Sequence, residues 1–208
     1  MLARLPTWQR FVCFFLGLLV MSMGNAMMIK PGLGAPSWDI LHLGLAKHLP
    51  LSLGSVILWL GVVILFINLF LDVRPSIGLC LNVLFVGPLM QWILALLPMP
   101  ATPVMAWVMF ISGTIICGIG ISLYISPKLG SGPRDGMMLG LSQRLKLPVG
   151  VTKYGIDLVV SLIGWRLGGP LGLGSLVTVF LVGPAVQFGH YLVRRIATVP
   201  ALAPFVAA

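Results

Sequence analysis

The chain is written twice. Displacing it by 96 residues, the step from Asp39 to Asp135, aligns it with itself without a gap from about Val12/Val108 to Gln91/Gln187. Seven glycines coincide at this offset, among them Gly17/Gly113, Gly24/Gly120, Gly34/Gly130, Gly54/Gly150 and Gly87/Gly183. Pro31/Pro127, Asp39/Asp135, Pro88/Pro184 and Gln91/Gln187 coincide as well. A repeat of fixed period makes each copy one structural unit. The expected units are residues 1–104 and 105–208, packed as one membrane domain.

Composition says where those units sit. With 59% hydrophobic and 8% charged residues, the chain cannot cover its surface with polar groups, so it reads as an integral membrane protein with the lipid bilayer as its partner. Apolar runs long enough to span occur at Phe11–Ile29, Leu53–Leu71, Ile77–Leu97, Met105–Ile125, Val149–Leu167 and Leu171–Leu192. The expected fold class is an all-α membrane protein of six transmembrane helices, three per copy. Runs continuously apolar over about twenty residues exclude barrel strands, which alternate over about ten.

A net charge of +9 would suggest nucleic acid in a soluble chain; here its distribution reads as topology, and no nucleic acid is expected. With a cytoplasmic N-terminus, the inner segments hold Arg4, Arg10, Arg74, Lys128, Arg134, Arg144, Lys146, Lys153, Arg194 and Arg195. The outer segments hold Lys30, Lys47 and Arg166. The positive-inside rule therefore places both termini in the cytoplasm. The basic N-terminus, apolar run and Gly24-Asn25-Ala26 also match a cleavable signal. Because this run aligns with the internal span Met105–Ile125, it is expected to stay as a helix of the fold.

Three spans per copy make the second copy enter the membrane from the opposite side. The result is an inverted repeat, an organisation that builds many secondary transporters around a midplane site. Within each copy the link between first and second spans, residues 31–48 and 127–144, is too long and apolar for a turn. Glycine and proline break the chain, Ser37 or Pro133 starts a helix, and Asp39 or Asp135 falls in its first turn. A short helix of two to three turns is expected, lying on the surface or re-entrant. The narrow polar stripe of Asp39, His42 and Ala46 favours re-entry. The Gly34 and Gly130 loops would then present free backbone groups to a shared cavity.

The candidate substrate- or ion-binding residues are Asp39, Asp135, Asp157, Lys153, Arg134, Gly34, Gly130, Gln91 and Gln187. Asp39 and Asp135 either cap their helices or bind a proton or cation. Lys153 and Asp157, one turn apart, form an ion pair or belong to a specialised site; their first-copy counterparts are the uncharged Ile57 and Gly61. Gly87-Pro88 and Gly183-Pro184 produce either a kink with hydrogen bonds between helices or a discontinuous helix whose glutamine faces a ligand. Cys13, Cys80 and Cys117 read as small buried apolar residues. No catalytic residue, metal site or cofactor motif stands out, so the chain is not expected to be an enzyme.

The paired Gly-rich loop, the helix starts Ser37-Trp38-Asp39 and Pro133-Arg134-Asp135, the Gly-Leu segments and the later Val-Gly-Pro resemble the YczE/YitT-type family of bacterial integral membrane proteins, and its YczE branch most. The resemblance implies a multi-pass protein of the bacterial cytoplasmic membrane without soluble domains, and brings no reaction or substrate. Ser37-Trp38 in place of Pro133-Arg134 departs from a cation in both copies. The expected function is transport or conduction of an unknown small solute by alternating access. The alternative is a non-transporting scaffold or regulatory protein that supports a partner. The small size also makes a homodimer plausible.

Overall fold

A computed structural model describes residues 6–130 and 132–196. Arg4, counted above among the inner charges, lies outside them. All regular structure among the described residues is helical: α1 Thr7–Ile29, α2 Ser37–His48, α3 Leu53–Phe70, α4 Ile77–Leu96, α5 Pro103–Ile125, α6 Pro133–Leu145, α7 Val149–Arg166 and α8 Leu173–Ile196. The starts of α5 to α8 follow those of α1 to α4 by the same 96 residues. Local chemistry explains the starts. Ser52, Ser76 and Thr102 accept the backbone N–H of Ser55, Leu79 and Met105 at 3.2–3.3 Å, so each helix opens on a satisfied amide. Pro36 and Gly132 precede the short helices, which run 12 and 13 residues, somewhat longer than expected.

Among the described residues five helices, α1, α3, α4, α5 and α8, are long and apolar enough to cross a bilayer. Six spans were expected, and the sixth is reached in a different way. The segment of α7 carries Lys153, Asp157 and Arg166 and reaches a sixth crossing only when taken together with α6, from which it bends by 117°. The bend follows from Lys146 in the left-handed region (φ 53°) and from Pro148 at the start of α7. Pro88 and Pro184 lie inside unbroken helices, so the discontinuous-helix alternative is not observed.

The core is the crossing of α1 and α5, where glycine lets two backbones touch. A Cβ on Gly24 would lie 2.6 Å from both Cys117 Cα and Gly113 O, and one on Gly120 would lie 2.6 Å from Met21 Cα. Phe14, Leu18, Met28 and Phe110 fill the space around this crossing. Helices α4 and α8 then pack on α1 and α5 respectively, α2 on α7, and α6 on α3. Some contacts between copies come in exchanged pairs. Gly78 N–H donates to Leu129 O at 3.0 Å and Gly174 N–H to Leu33 O at 2.9 Å; moving both residues of one bond by the repeat offset gives the other.

Gly24→Val forces a side chain into this contact and is expected to cost about 2 kcal/mol or more. In detergent that should lower the unfolding temperature by about 5 °C. Gly183→Ala, where a Cβ meets nothing within 4 Å, should leave it unchanged or slightly raised.

Candidate functional site

The two short helices carry the polar interior. Asp39 stands at the third position of α2 and is only 1% exposed; His42, one turn on, is equally buried. His42 Nδ1 lies 3.1 Å from Asp39 Oδ1, while its Nε2 lies 3.4 Å from Arg134 Nη2 on α6. Arginine can only donate, so Nε2 must accept. The ring proton then sits on Nδ1 and is donated to Asp39. Arg134 also stacks over Trp38 of α2, its guanidinium carbon 5.1 Å from the ring centre. Arg134 thus joins the start of α6 to that of α2.

Asp135 occupies the equivalent place on α6 with a different environment. Its Oδ2 accepts the Gly132 N–H at 3.3 Å and the Tyr124 hydroxyl at 3.2 Å, so from the third position it reaches back to the amide that precedes the helix. Asn68 of α3 holds the same turn by donating to Pro133 O at 2.9 Å. No side-chain cap bond forms at α2, and Asp39 Oδ2 is buried without a hydrogen-bond partner. The repeat explains the difference. At the offset of 96, Tyr124 corresponds to Met28, which has no donor, and Gly132 to Pro36, which has no N–H.

The remaining candidates lie in other surroundings. Gly34 and Gly130 adopt φ of +125° and +135°, a region that favours glycine. Their loops are tied down rather than open to a cavity: Leu33 O and Leu129 O are bonded to the starts of α8 and α4, and Ala35 N–H donates to Ser175 Oγ at 3.0 Å. Lys153 and Asp157 form an ion pair of 2.6 Å along α7, with the lysine largely exposed. Gln91 Oε1 accepts the Gly54 N–H at 3.0 Å, a bond between α4 and α3, while Gln187 is exposed. The three cysteines are free; Cys117 is buried, Cys13 partly so, and Cys80 is exposed, against the expectation that all three are buried. Among the described residues no group of three His, Cys, Asp or Glu could hold a metal ion.

The sequence singles out Asp39, Asp135 and Arg134 as candidates, reads His42 only as part of a polar stripe and gives Tyr124 no role. The signal for His42 was present in its spacing of three from Asp39, which puts both on one helical face. For Tyr124 no pattern pointed to Asp135. Removing its hydroxyl in Tyr124→Phe should cost about 1 kcal/mol, and Asp135→Asn somewhat more, because a helix cap is weakened. Both losses can be read from unfolding of the purified protein in mixed micelles.

Comparison with known proteins gives this arrangement a family. The chain is 30% identical over 206 residues to the uncharacterized membrane protein YczE of Bacillus subtilis, covering 94% of this chain and 96% of that one. It is 29% identical to the uncharacterized protein YyaS of the same organism, over 90% and 95% of the two chains. An uncharacterized protein of Haemophilus influenzae is 27% identical over 88% of this chain and 84% of its own. No solved structure matches. Residues 8–191 match a family described as a family of unknown function, DUF6198, and the chain belongs to that family of membrane proteins.

Proposed function

We propose that the protein is a transporter of a small polar solute in the bacterial cytoplasmic membrane, built as an inverted repeat whose halves exchange conformations, with both termini in the cytoplasm. The observation that carries this reading is that equivalent helix pairs are in different states. In the first copy α3 and α4 are zipped together. A Cβ on Gly54 would lie 2.8 Å from Gly87 O, and Gln91 accepts the Gly54 N–H. In the second copy the same residue types recur as Gly150, Gly183 and Gln187. There a Cβ on either glycine meets nothing within 4 Å, and α7 and α8 do not pack in the same way.

A sequence that specifies the zipper in one copy keeps its parts in the other. Two arrangements of one motif within one molecule are what alternating access requires: one half closed, one open, and an exchange that reverses them. The exchanged hydrogen bonds of Leu33 and Leu129 support a two-fold relation between the halves. The burial of Asp39, Ile40 and His42 supports re-entrant placement of α2 over a surface position. Asp39, His42 and Arg134 then form the polar part of a midplane site.

Spin labels at Trp59 and Trp92, and in a second variant at the equivalent Gly155 and Phe188, report the α3–α4 and α7–α8 separations by pulsed EPR. Transport predicts two distances for each pair in lipid. Gln91→Ala removes a bond of about 1 kcal/mol and should shift the α3–α4 pair toward the longer distance by about fivefold. Liposomes bearing the protein should also take up one class from a panel of small organic anions, amines and sugars in saturable fashion. A single unshifting distance for each pair, with no uptake, would overturn transport and leave the scaffold reading.

A further inference from the structure

We infer that the gap between α7 and α8 is a gate, closed when Gln187 accepts the Gly150 N–H, and that closing it draws His42 away from Arg134. The first copy holds the same parts in the closed form. There Gln91 Oε1 accepts the Gly54 N–H at 3.0 Å, and a Cβ on Gly54 would lie 2.9 Å from Gln91 Cβ. In the second copy Gln187 is exposed, and a Cβ on Gly150 meets nothing within 4 Å. The start of α7 also lacks a side-chain cap, because Pro148 stands where Ser52 caps α3. The opening amides of a helix have no acceptor within it. Gly150 therefore offers a donor, and Gln187 carries the acceptor that its mate uses.

Closure moves more than one helix, because each short helix is fixed to the second span of the other copy. For α2 and α7, a Cβ on Gly44 would lie 3.0 Å from Leu167 Cβ and one on Gly164 2.6 Å from Leu41 Cα, while Lys47 Nζ donates to Gly168 O at 2.6 Å. For α6 and α3, a Cβ on Gly140 would lie 2.8 Å from Leu71 Cβ, and Arg144 donates to Asp72 Oδ2 at 3.2 Å. Asn68 of α3 adds its bond to Pro133 O. Backbones this close travel together. Since α3 is zipped to α4, α6 stays with the frame when α7 approaches α8, and α2 goes with α7.

Helices α2 and α6 touch through Arg134, which donates to His42 Nε2 at 3.4 Å and stacks on Trp38, and they are not otherwise packed on each other. That junction is the one that yields. Ala35 N–H on Ser175 Oγ holds the start of α2 to α8, so α2 swings about that end. His42 lies about two turns farther along and moves more than Trp38. The gate at α7 and α8 thereby controls whether the polar cluster of Asp39, His42 and Arg134 is assembled. As the gate of a transporter this inference rests on that reading; as a movement it does not, and its test needs no solute.

Gly150→Cys with Gln187→Cys puts two thiols where the open state has room, so neither change disturbs its packing. A disulfide needs Cβ atoms about 4 Å apart, which these positions reach when α7 and α8 zip as α3 and α4 do. Oxidation of the variant in proteoliposomes by copper phenanthroline should join the two cysteines within one chain, as read from peptide masses with the native cysteines in place. Nitrogen-15 histidine NMR at one pH then reads the site. On oxidation the His42 Nε2 resonance, assigned by its loss in His42→Gln, should move to that of a ring nitrogen without a donor, and reduction should restore it. His48, which rides on α7, should keep its own. Absence of the disulfide while spin labels at Gly155 and Phe188 report two distances would overturn this closure and leave the exchange of conformations standing. A single distance without the disulfide would overturn both. A disulfide that leaves His42 Nε2 unmoved would overturn the link from gate to site.

Discussion

The close crossing of α1 and α5 is the contact from which the rest of the molecule is placed. In a bilayer, lipid tails compete on equal terms with apolar side chains, so helices associate where backbones can approach and dispersion contacts accumulate. Gly24 and Gly120 provide that approach from opposite partners: one meets Cys117, the other Met21, and these two are themselves equivalent at the repeat offset. With the first helix of each copy fixed against the other, α4 and α8 dock beside them. The loops that follow α1 and α5 then hand their carbonyls to the starts of α8 and α4. Those bonds satisfy amides at helix starts that would otherwise be orphaned in an apolar medium. They also hold α2 and α6 so that their first turns meet.

On that shared frame the copies have diverged in chemistry. Two residues that touch Asp135, Tyr124 and Gly132, are replaced around Asp39 by residues that cannot donate. Arg134 has no counterpart cation in the first copy, where Trp38 stands; instead it crosses to that copy and binds His42. The two aspartates that the repeat makes equivalent are therefore unlike. One closes a helix end, and the other holds a lone acceptor beside a histidine and an arginine. The repeat supplies the symmetry, and two residues without donors leave Asp39 Oδ2 without a partner.

Much of this frame was legible in the sequence. Ser37 and Pro133 open the short helices as read, because proline and serine act locally and need no tertiary context. Gly17, Gly24, Gly113 and Gly120 announced a helix contact through their spacing of seven, and the structure has it. The membership of α7 among the spans was less legible, since its charges and its bend depend on how α6 packs. The site was half legible. Asp39 and Asp135 stood out as acids in an apolar chain, but their different partners arise from contacts between distant segments, Arg134 with His42 and Tyr124 with Asp135. The unequal states of Gly54/Gly87 and Gly150/Gly183 could not be read, because identical residues stand in two packings.

The orientation of the two copies is the claim on which transport depends. Lys47 and Gln143 are equivalent at the repeat offset and exposed near the ends of α2 and α6, so each can carry a single cysteine in a chain freed of Cys13, Cys80 and Cys117. Labelling intact cells and inverted vesicles with a membrane-impermeant maleimide reports the side on which each lies. The account predicts that Lys47→Cys reacts from the outside and Gln143→Cys from the cytoplasm. Reaction of both from the same side would contradict the inverted arrangement and, with it, alternating access between the halves.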